Sequence, residues 1–177
     1  MKVILVSGKA RSGKSTLTSF LIKALEEKSK KPCEVQVGQY IKYYAMKYFG
    51  WDGEEETKPR DLLIHLGTDI IRNKIDPNFH INRLVQDIEV LSYFYDTFIV
   101  SDVRFPVEIE KVKEKYGDDV ITIKIERDSD ELTDSQKSNI TETALDNFND
   151  YDMVIDNNGT LEELQNKVPE IIQKAGE

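Results

Sequence analysis

The chain has 177 residues, of which 39% are hydrophobic and 32% charged, and its formal net charge is −9. This composition is typical of one folded globular domain and excludes a disordered or fibrous chain. The negative charge and the lack of a strongly basic patch argue against sequence-independent binding to nucleic acid. No apolar run reaches the ~18 residues that a membrane span needs. Because Cys33 is the single cysteine, no internal disulfide can form, and we expect a cytoplasmic protein.

Strand and helix patterns alternate along the chain. In chain order they predict a strand at 2–7, a helix at 14–29, a strand at 34–37, helices at 39–49, 59–73 and 77–95, a strand at 97–101, a helix at 107–116, strands at 120–125 and 153–155, and a helix at 161–174. Residues 128–147 are polar without a strong period, which predicts a surface excursion or lid. The alternation predicts a single domain over 1–177 with a three-layer α/β/α fold, a mostly parallel five-stranded sheet and right-handed crossovers.

The most specific motif directly follows the first predicted strand. The run Gly8-Lys9-Ala10-Arg11-Ser12-Gly13-Lys14-Ser15 matches the P-loop pattern G-x-x-x-x-G-K-S/T, and an amphipathic helix follows it. Glycines allow main-chain N–H groups to converge on phosphate oxygens, and the helix N-terminus adds its positive dipole end. The sequence therefore predicts a site for ATP and Mg²⁺ in which Lys14 follows the β- and γ-phosphates and Ser15 ligates the metal. The predicted nucleotide-binding residues are Gly8, Lys9, Ala10, Arg11, Ser12, Gly13, Lys14, Ser15 and Thr16.

A P-loop alone does not separate kinases from other nucleotide-binding proteins. The chain has no N-K-x-D tetrapeptide for guanine recognition, which argues against a GTPase. It is also too short for most motor or transport modules.

Three further segments narrow the class. They are 60–72 (R-D-L-L-I-H-L-G-T-D-I-I-R), 101–108 (S-D-V-R-F-P-V-E), and 142–146 (E-T-A-L-D) followed by 151–157 (Y-D-M-V-I-D-N). With the P-loop they resemble the bacteriophage-type deoxynucleoside monophosphate kinase family, in which D-V-R-F-x-x-E and L-G-T-x-x-x-R segments accompany the loop. The resemblance spans residues 2–165 and implies ATP-dependent phosphoryl transfer to a (deoxy)nucleoside monophosphate, giving the diphosphate.

The chemistry indicates which side chains such a reaction needs. A phosphate monoester has its second pKa at about 6, so at neutral pH it is a nucleophile that needs cations around it and no general base. The predicted catalytic residues are Lys14, Asp102, Arg104 and Arg127, the last as a lid arginine. The predicted acceptor-binding residues are Arg11, Lys42, Arg60, Gly67, Thr68, Arg72 and Arg104, and the predicted metal ligands are Ser15 and Asp102.

Several of these assignments have plain alternatives. Asp102 lies at the sheet edge where ligands of open α/β sheets bind, but it could instead cap the following helix. Arg60 and Arg72 are predicted to lie about 120° apart on one helix and need not bind the same ligand. Lys42 could simply be exposed.

The remaining candidates favour structural roles. The tyrosines of the 39–49 helix could stack a base, although packing is the commoner use. Glu108 and Glu110 are predicted on a solvated helix face. His65 and His80 lack the spacing of a zinc site, and Cys33 is predicted to be inert.

Other functions stay open at this level. A kinase acting on phosphomevalonate or dephospho-coenzyme A, and a nucleotide-binding regulator without an acceptor, share the same loop. The predicted partner is a small phosphorylated molecule, with no nucleic acid and no membrane, and a homodimer stays open.

Overall fold

Five parallel strands form one sheet in the computed structural model, which describes residues 1–128 and 140–176. They are β1 Lys2–Ser7, β2 Pro32–Val35, β3 Thr97–Val103, β4 Val120–Glu126 and β5 Met153–Asp156. Their order is β2-β3-β1-β4-β5, and every neighbouring pair is parallel. The predicted parallel α/β architecture is confirmed, with β1 and its P-loop at the centre of the sheet.

Helices connect the strands within the described residues. They are α1 Lys14–Glu27, α2 Gln39–Phe49, α3 Arg60–Ile64, the π-helix His65–Ile75, α4 Phe79–Leu91, α5 Pro106–Tyr116, the 3₁₀ turn Gly117–Asp119, α6 Ile140–Thr143, α7 Leu161–Asn166 and α8 Val168–Lys174. None of the helices in these two ranges has the length and apolar character needed to cross a bilayer. Cytoplasmic location, the lack of a nucleic-acid partner and the open homodimer stay predictions.

The two faces of β1 belong to two separate hydrophobic cores. Ile4 and Val6 lie in one core with residues of α1 and α8, such as Leu21. Val3 and Leu5 lie in the other, with residues of α4 and α5. Successive strand residues point to opposite faces, so a continuous apolar strand must be covered on both sides. This arrangement gives the predicted three layers.

Two predicted boundaries are wrong. The second strand is Pro32–Val35 rather than 34–37, because the N–H groups of Val37 and Gly38 bond to a side chain instead of continuing the ladder. The predicted terminal helix 161–174 is two helices, α7 and α8. Pro169 lies in the first turn of α8, where its missing N–H is tolerated, whereas it would interrupt a continuous helix.

The chain is helical where a helix was predicted at 59–73, but it is not α-helical throughout. After α3 the chain continues as the π-helix His65–Ile75. A π-helical turn closes over five residues instead of four, so it holds more residues than an α-helical turn. The predicted 120° between Arg60 and Arg72 therefore does not apply.

Part of the predicted excursion at 128–147 lies outside the described residues, which stop at 128 and resume at 140. The part that is described contains α6, and this short helix lies against the P-loop. Ala10 N donates a 2.7 Å hydrogen bond to Glu142 Oε2, and Lys9 Nζ lies 3.2 Å from Asp146 Oδ1.

Candidate active site

The P-loop joins β1 to α1, and its two glycines are required by close contacts. A Cβ on Gly8 would lie 2.4 Å from the carbonyl oxygen of Ile125, and one on Gly13 would lie 2.3 Å from Asn157 Nδ2. Gly13 also has a φ of 100°, which disfavours other residues. The loop is thus packed against the ends of β4 and β5, with its conformation fixed by its neighbours.

Lys14 folds back over this loop. Its Nζ donates to the carbonyl oxygens of Gly8, at 2.8 Å, and Lys9, at 2.7 Å. Burial, and next the positive charge of Arg104, lower the pKa of Lys14 to about 7. The ammonium therefore lies in the loop, where a bound phosphate would favour its charged form.

A cavity of about 900 Å³ opens beside the P-loop. It lies between α2, the α3–π-helix segment and the end of β3, at the carboxyl edge of the sheet where ligands of parallel α/β sheets bind. Eight predicted site residues line it, namely Ala10, Lys42, Arg60, Gly67, Thr68, Arg72, Asp102 and Arg104. Tertiary structure thus brings together residues that are up to 94 positions apart in the sequence, from Ala10 to Arg104.

Arg104 connects this cavity to the P-loop. Its Nη1 donates to the carbonyl oxygen of Gly8 at 3.1 Å and forms a 2.9 Å ion pair with Glu142 Oε1. The guanidinium therefore lies at the boundary between the nucleotide loop and the cavity, as expected for a group that contacts both phosphates of a transfer reaction.

Arg72 lines the same cavity. Its guanidinium carbon is 3.8 Å from the ring centre of Phe105, and its Nη2 donates to Glu108 Oε1 at 3.0 Å. The prediction that Glu108 lies on a solvated face is wrong, because its side chain is buried on the inner face of α5 beside Ile109 and Val112. Burial raises the pKa of Glu108.

The cavity mouth carries further cations. Arg60 Nη2 lies 2.9 Å from Glu55 Oε1, and Lys58 pairs with the same carboxylate. Lys42 Nζ donates to the side-chain oxygen of Gln36. The side chain of Arg60 is 51% exposed, against 16% for Arg72 and 24% for Arg104, so its charge is better screened by water.

Asp102 anchors the segment that follows β2. Its two carboxylate oxygens accept hydrogen bonds from Val37 N, at 2.7 Å, and Gly38 N, at 3.0 Å. The alternative in which it caps α5 is wrong, because Glu108 accepts the N–H groups of Arg104 and Phe105 there. Asp102 also lines the cavity.

Gly67 and Thr68 occupy the π-helix at the cavity wall. A Cβ on Gly67 would lie 2.6 Å from Ile41 Cδ1, so this glycine allows α2 to approach closely. His80 Nε2 donates to the Gly67 carbonyl at 3.2 Å, and burial lowers the pKa of His80. This contact agrees with the structural interpretation of that histidine.

Other predicted residues lie away from the cavity. Arg127 is exposed one residue after β4, and the described cavity-lining residues do not include it. They include no tyrosine of α2 either; Tyr43 and Tyr48 are exposed. His65 pairs with Asp69 on the surface. In residues 1–128 and 140–176 no three His, Cys, Asp or Glu side chains form a metal-binding group.

Sequence reasoning gave no role to Glu142 or Asn157. Both lie in segments that carried the family resemblance, and this was the one feature of the sequence that could have indicated a role at the site. Glu142 bonds to Ala10 N of the P-loop, while Asn157 Nδ2 donates to the Ser12 carbonyl at 2.8 Å. Each contact spans more than 130 residues of sequence, so no local pattern reveals it.

A central P-loop on a parallel sheet, next to a cavity lined with arginines, defines a P-loop phosphotransferase. The fold is similar to that of the APS kinase CysC of Mycobacterium tuberculosis in complex with AMPPNP and APS, with a TM-score of 0.58 and 13% identity over 99% of this chain and 98% of that one.

The sequence comparisons give the family. The profile of deoxynucleotide monophosphate kinase matches residues 25–168, so the chain belongs to the deoxynucleotide monophosphate kinase family. A protein of Acanthamoeba polyphaga mimivirus that carries the family's name is 28% identical over 197 aligned positions, covering 100% of this chain and 99% of the relative. The deoxynucleotide monophosphate kinase of Enterobacteria phage T4 is 34% identical over 119 residues, covering 65% of this chain and 45% of the phage enzyme. The chain thus matches about half the length of the T4 relative.

Proposed function

We propose that the protein transfers the γ-phosphoryl group of ATP to a deoxynucleoside monophosphate, giving the diphosphate. The observation that carries this assignment is the position of Arg104, which contacts the P-loop at Gly8 and also lines the cavity. Donor and acceptor phosphates bound on its two sides would meet at one guanidinium.

The donor triphosphate binds in the P-loop. Main-chain N–H groups of residues 8–16 and the N-terminus of α1 surround its β- and γ-phosphates. Lys14 exchanges the carbonyls of Gly8 and Lys9 for phosphate oxygens, and this replaces neutral acceptors by charged ones. Lys14 then neutralises the charge that develops on the leaving diphosphate.

The residues present fit a magnesium ion. Mg²⁺ in such sites takes only one or two protein oxygens and completes its shell with phosphate and water. The hydroxyl of Ser15, in the first turn of α1, and the carboxylate of Asp102, on the cavity wall, are oxygen donors of the required type. A bound Mg²⁺ would neutralise part of the negative charge on the phosphates.

The acceptor binds in the cavity with its phosphate next to Arg72 and Arg104. A volume of about 900 Å³ accommodates a nucleotide. Two guanidinium groups suit a dianionic monoester because each can donate two parallel hydrogen bonds. Lys42, Arg60 and Thr68 line the outer part of the cavity, where the sugar and base lie. Arg127, one residue after β4, is the proposed lid arginine for the transferred phosphate.

The test is ADP formation by the full chain with ATP and Mg²⁺, alone and with single acceptors. The panel contains the four deoxynucleoside monophosphates, their ribose counterparts, phosphomevalonate and dephospho-coenzyme A. At least one deoxynucleoside monophosphate should raise ADP formation far above the rate with ATP alone. Slow hydrolysis that no acceptor stimulates would refute the proposal, and stimulation only by a non-nucleotide acceptor would reassign the cavity.

Two variants of α1 provide the control. Lys14→Ala removes the ammonium in the P-loop and should abolish transfer. Lys23→Ala removes an exposed lysine of the same helix and should leave transfer unchanged. Equal losses in both variants would mean that damage to α1, rather than loss of the phosphate contact, causes the effect.

A further inference from the structure

Glu108 is a buried carboxylate with three hydrogen bonds. Its side chain is 3% exposed, although the residue lies in the first turn of α5. Oε2 accepts from Arg104 N at 2.8 Å and from Phe105 N at 3.1 Å, while Oε1 accepts from Arg72 Nη2 at 3.0 Å. A glutamate that only caps a helix can do so at the surface, so capping does not explain why this carboxylate is buried.

The guanidinium of Arg72, which donates to Glu108 Oε1, is held by Glu108 and by Phe105. The Arg72 guanidinium stacks on the Phe105 ring at 3.8 Å, and Glu108 bonds to one of its edges. A third contact, 3.4 Å from Arg72 Nη1 to the Pro77 carbonyl, fixes another part of the group. With a face and two donors fixed, the guanidinium has one orientation and its remaining donors are directed away from these partners.

The other oxygen of Glu108, Oε2, accepts from the main-chain N–H groups of Arg104 and Phe105. Glu108 fixes the main chain of Arg104, and the side chain of Arg104 contacts Gly8 and Glu142. One carboxylate therefore links the π-helix, which carries Arg72, to the end of β3, which precedes Arg104. The relative position of the two guanidinium groups depends on it.

We infer that Glu108 is a positioning residue that orients Arg72 and Arg104 so that both bind the phosphate of the acceptor. This inference rests on the proposed function and assigns the Arg72–Phe105–Glu108 cluster to the acceptor and not to ATP. The cluster lies in the cavity wall, and among the described residues Arg104 connects it to the P-loop at Gly8.

A role through charge and a role through positioning predict opposite effects of neutralising Glu108 on binding of the acceptor phosphate. If only net charge mattered, removing a negative group beside two arginines would strengthen binding of a phosphate dianion. If Glu108 acts by positioning, Glu108→Gln should weaken it, because the amide NH₂ faces donors and cannot accept their hydrogen bonds. The Michaelis constant for the acceptor therefore distinguishes the two roles.

The experiment compares Glu108→Gln with Glu110→Gln, an exposed glutamate two residues further along α5. We expect Glu108→Gln to raise the acceptor KM roughly tenfold or more, as loss of hydrogen bonds to a charged group does, and to leave the KM for ATP within about twofold. Glu110→Gln should match the wild type. In an Arg72→Ala background, Glu108→Gln should add less than its effect in the wild type, because part of its action runs through Arg72.

A second variant covers the case in which Glu108→Gln does not fold. Phe105→Leu removes the ring beneath Arg72 and keeps Glu108, so it should raise the acceptor KM in the same selective way. An acceptor KM that stays unchanged or falls, or an equal rise in both KM values, would overturn the inference. The proposed function fails separately, if the wild type transfers phosphate to no deoxynucleoside monophosphate.

Discussion

Asn157 and Ser12 are 145 positions apart, and yet the side-chain amide of one donates a buried 2.8 Å hydrogen bond to the carbonyl of the other. The same amide nitrogen lies where a side chain on Gly13 would have to be. The end of β5 thus holds the P-loop in its phosphate-binding shape, because a loop carbonyl buried without a donor would be costly.

Asn157→Ala should therefore destabilise the protein and weaken ATP binding. Losing the donor to a buried carbonyl costs about 1–3 kcal/mol of the free energy of unfolding. Chemical denaturation and ATP titration measure the two effects. Asn158→Ala is the matched control, because Asn158 is an exposed neighbour that accepts from Asp128 N. Equal behaviour of the two variants would show that Asn157 does not hold the loop.

ATP binding should take up a proton at Lys14. Because the pKa of Lys14 is lowered to about 7 in the free protein, Lys14 is neutral in most molecules at pH 8. Phosphate oxygens favour the ammonium, so binding at pH 8 should take up between about 0.5 and 1 proton. Below the lowered pKa the ammonium is already present, and this uptake should disappear.

Calorimetry in buffers of different ionisation enthalpy measures this proton uptake. Lys14→Arg is the control, because arginine stays protonated throughout the range. Uptake of the same size in the wild type and in Lys14→Arg would mean that another group takes up the proton.

Glu142→Gln should bind ATP more tightly. The carboxylate now accepts from Ala10 N of the P-loop and pairs with Arg104, so a bound γ-phosphate would have to displace it or lie beside a like charge. Neutralising it should lower the Kd for ATP by roughly three- to tenfold.

The control is Asp146→Asn, in the same segment. Asp146 pairs with Lys9, but both side chains are about half exposed, so the pair contributes little. Its replacement should leave the Kd almost unchanged. A higher Kd in Glu142→Gln would instead show that the carboxylate supports the nucleotide-binding conformation.

The Asp102→Asn variant distinguishes two roles of Asp102: ligand of a metal ion, or anchor of the segment that follows β2. If Asp102 contributes to a magnesium site, the Mg²⁺ concentration for half-maximal activity at saturating nucleotide should rise severalfold, because an amide is a weaker ligand for a hard cation than a carboxylate. If it only accepts from Val37 N and Gly38 N, thermal stability should fall and the Mg²⁺ dependence should stay the same. Activity against Mg²⁺, measured together with the melting temperature, decides between them.

The sequence by itself determined the P-loop, the parallel α/β architecture and the family. These features depend on neighbours in the chain: eight consecutive residues form the loop, and continuous apolar runs such as that of β1 require cover on both faces. The arginines of the cavity were also predicted, because their motifs are short and local.

Only the tertiary structure decided how these groups are held. Glu108 lies on the buried face of α5 because Arg72, 36 positions earlier, provides a charged partner there, and hydrophobic periodicity gives a glutamate no such partner. The contacts of Glu142 and Asn157 with the P-loop likewise join distant parts of the chain. Local sequence patterns predict which faces of helices and strands are buried. The pairing of buried polar groups depends instead on which distant residues meet when the chain folds.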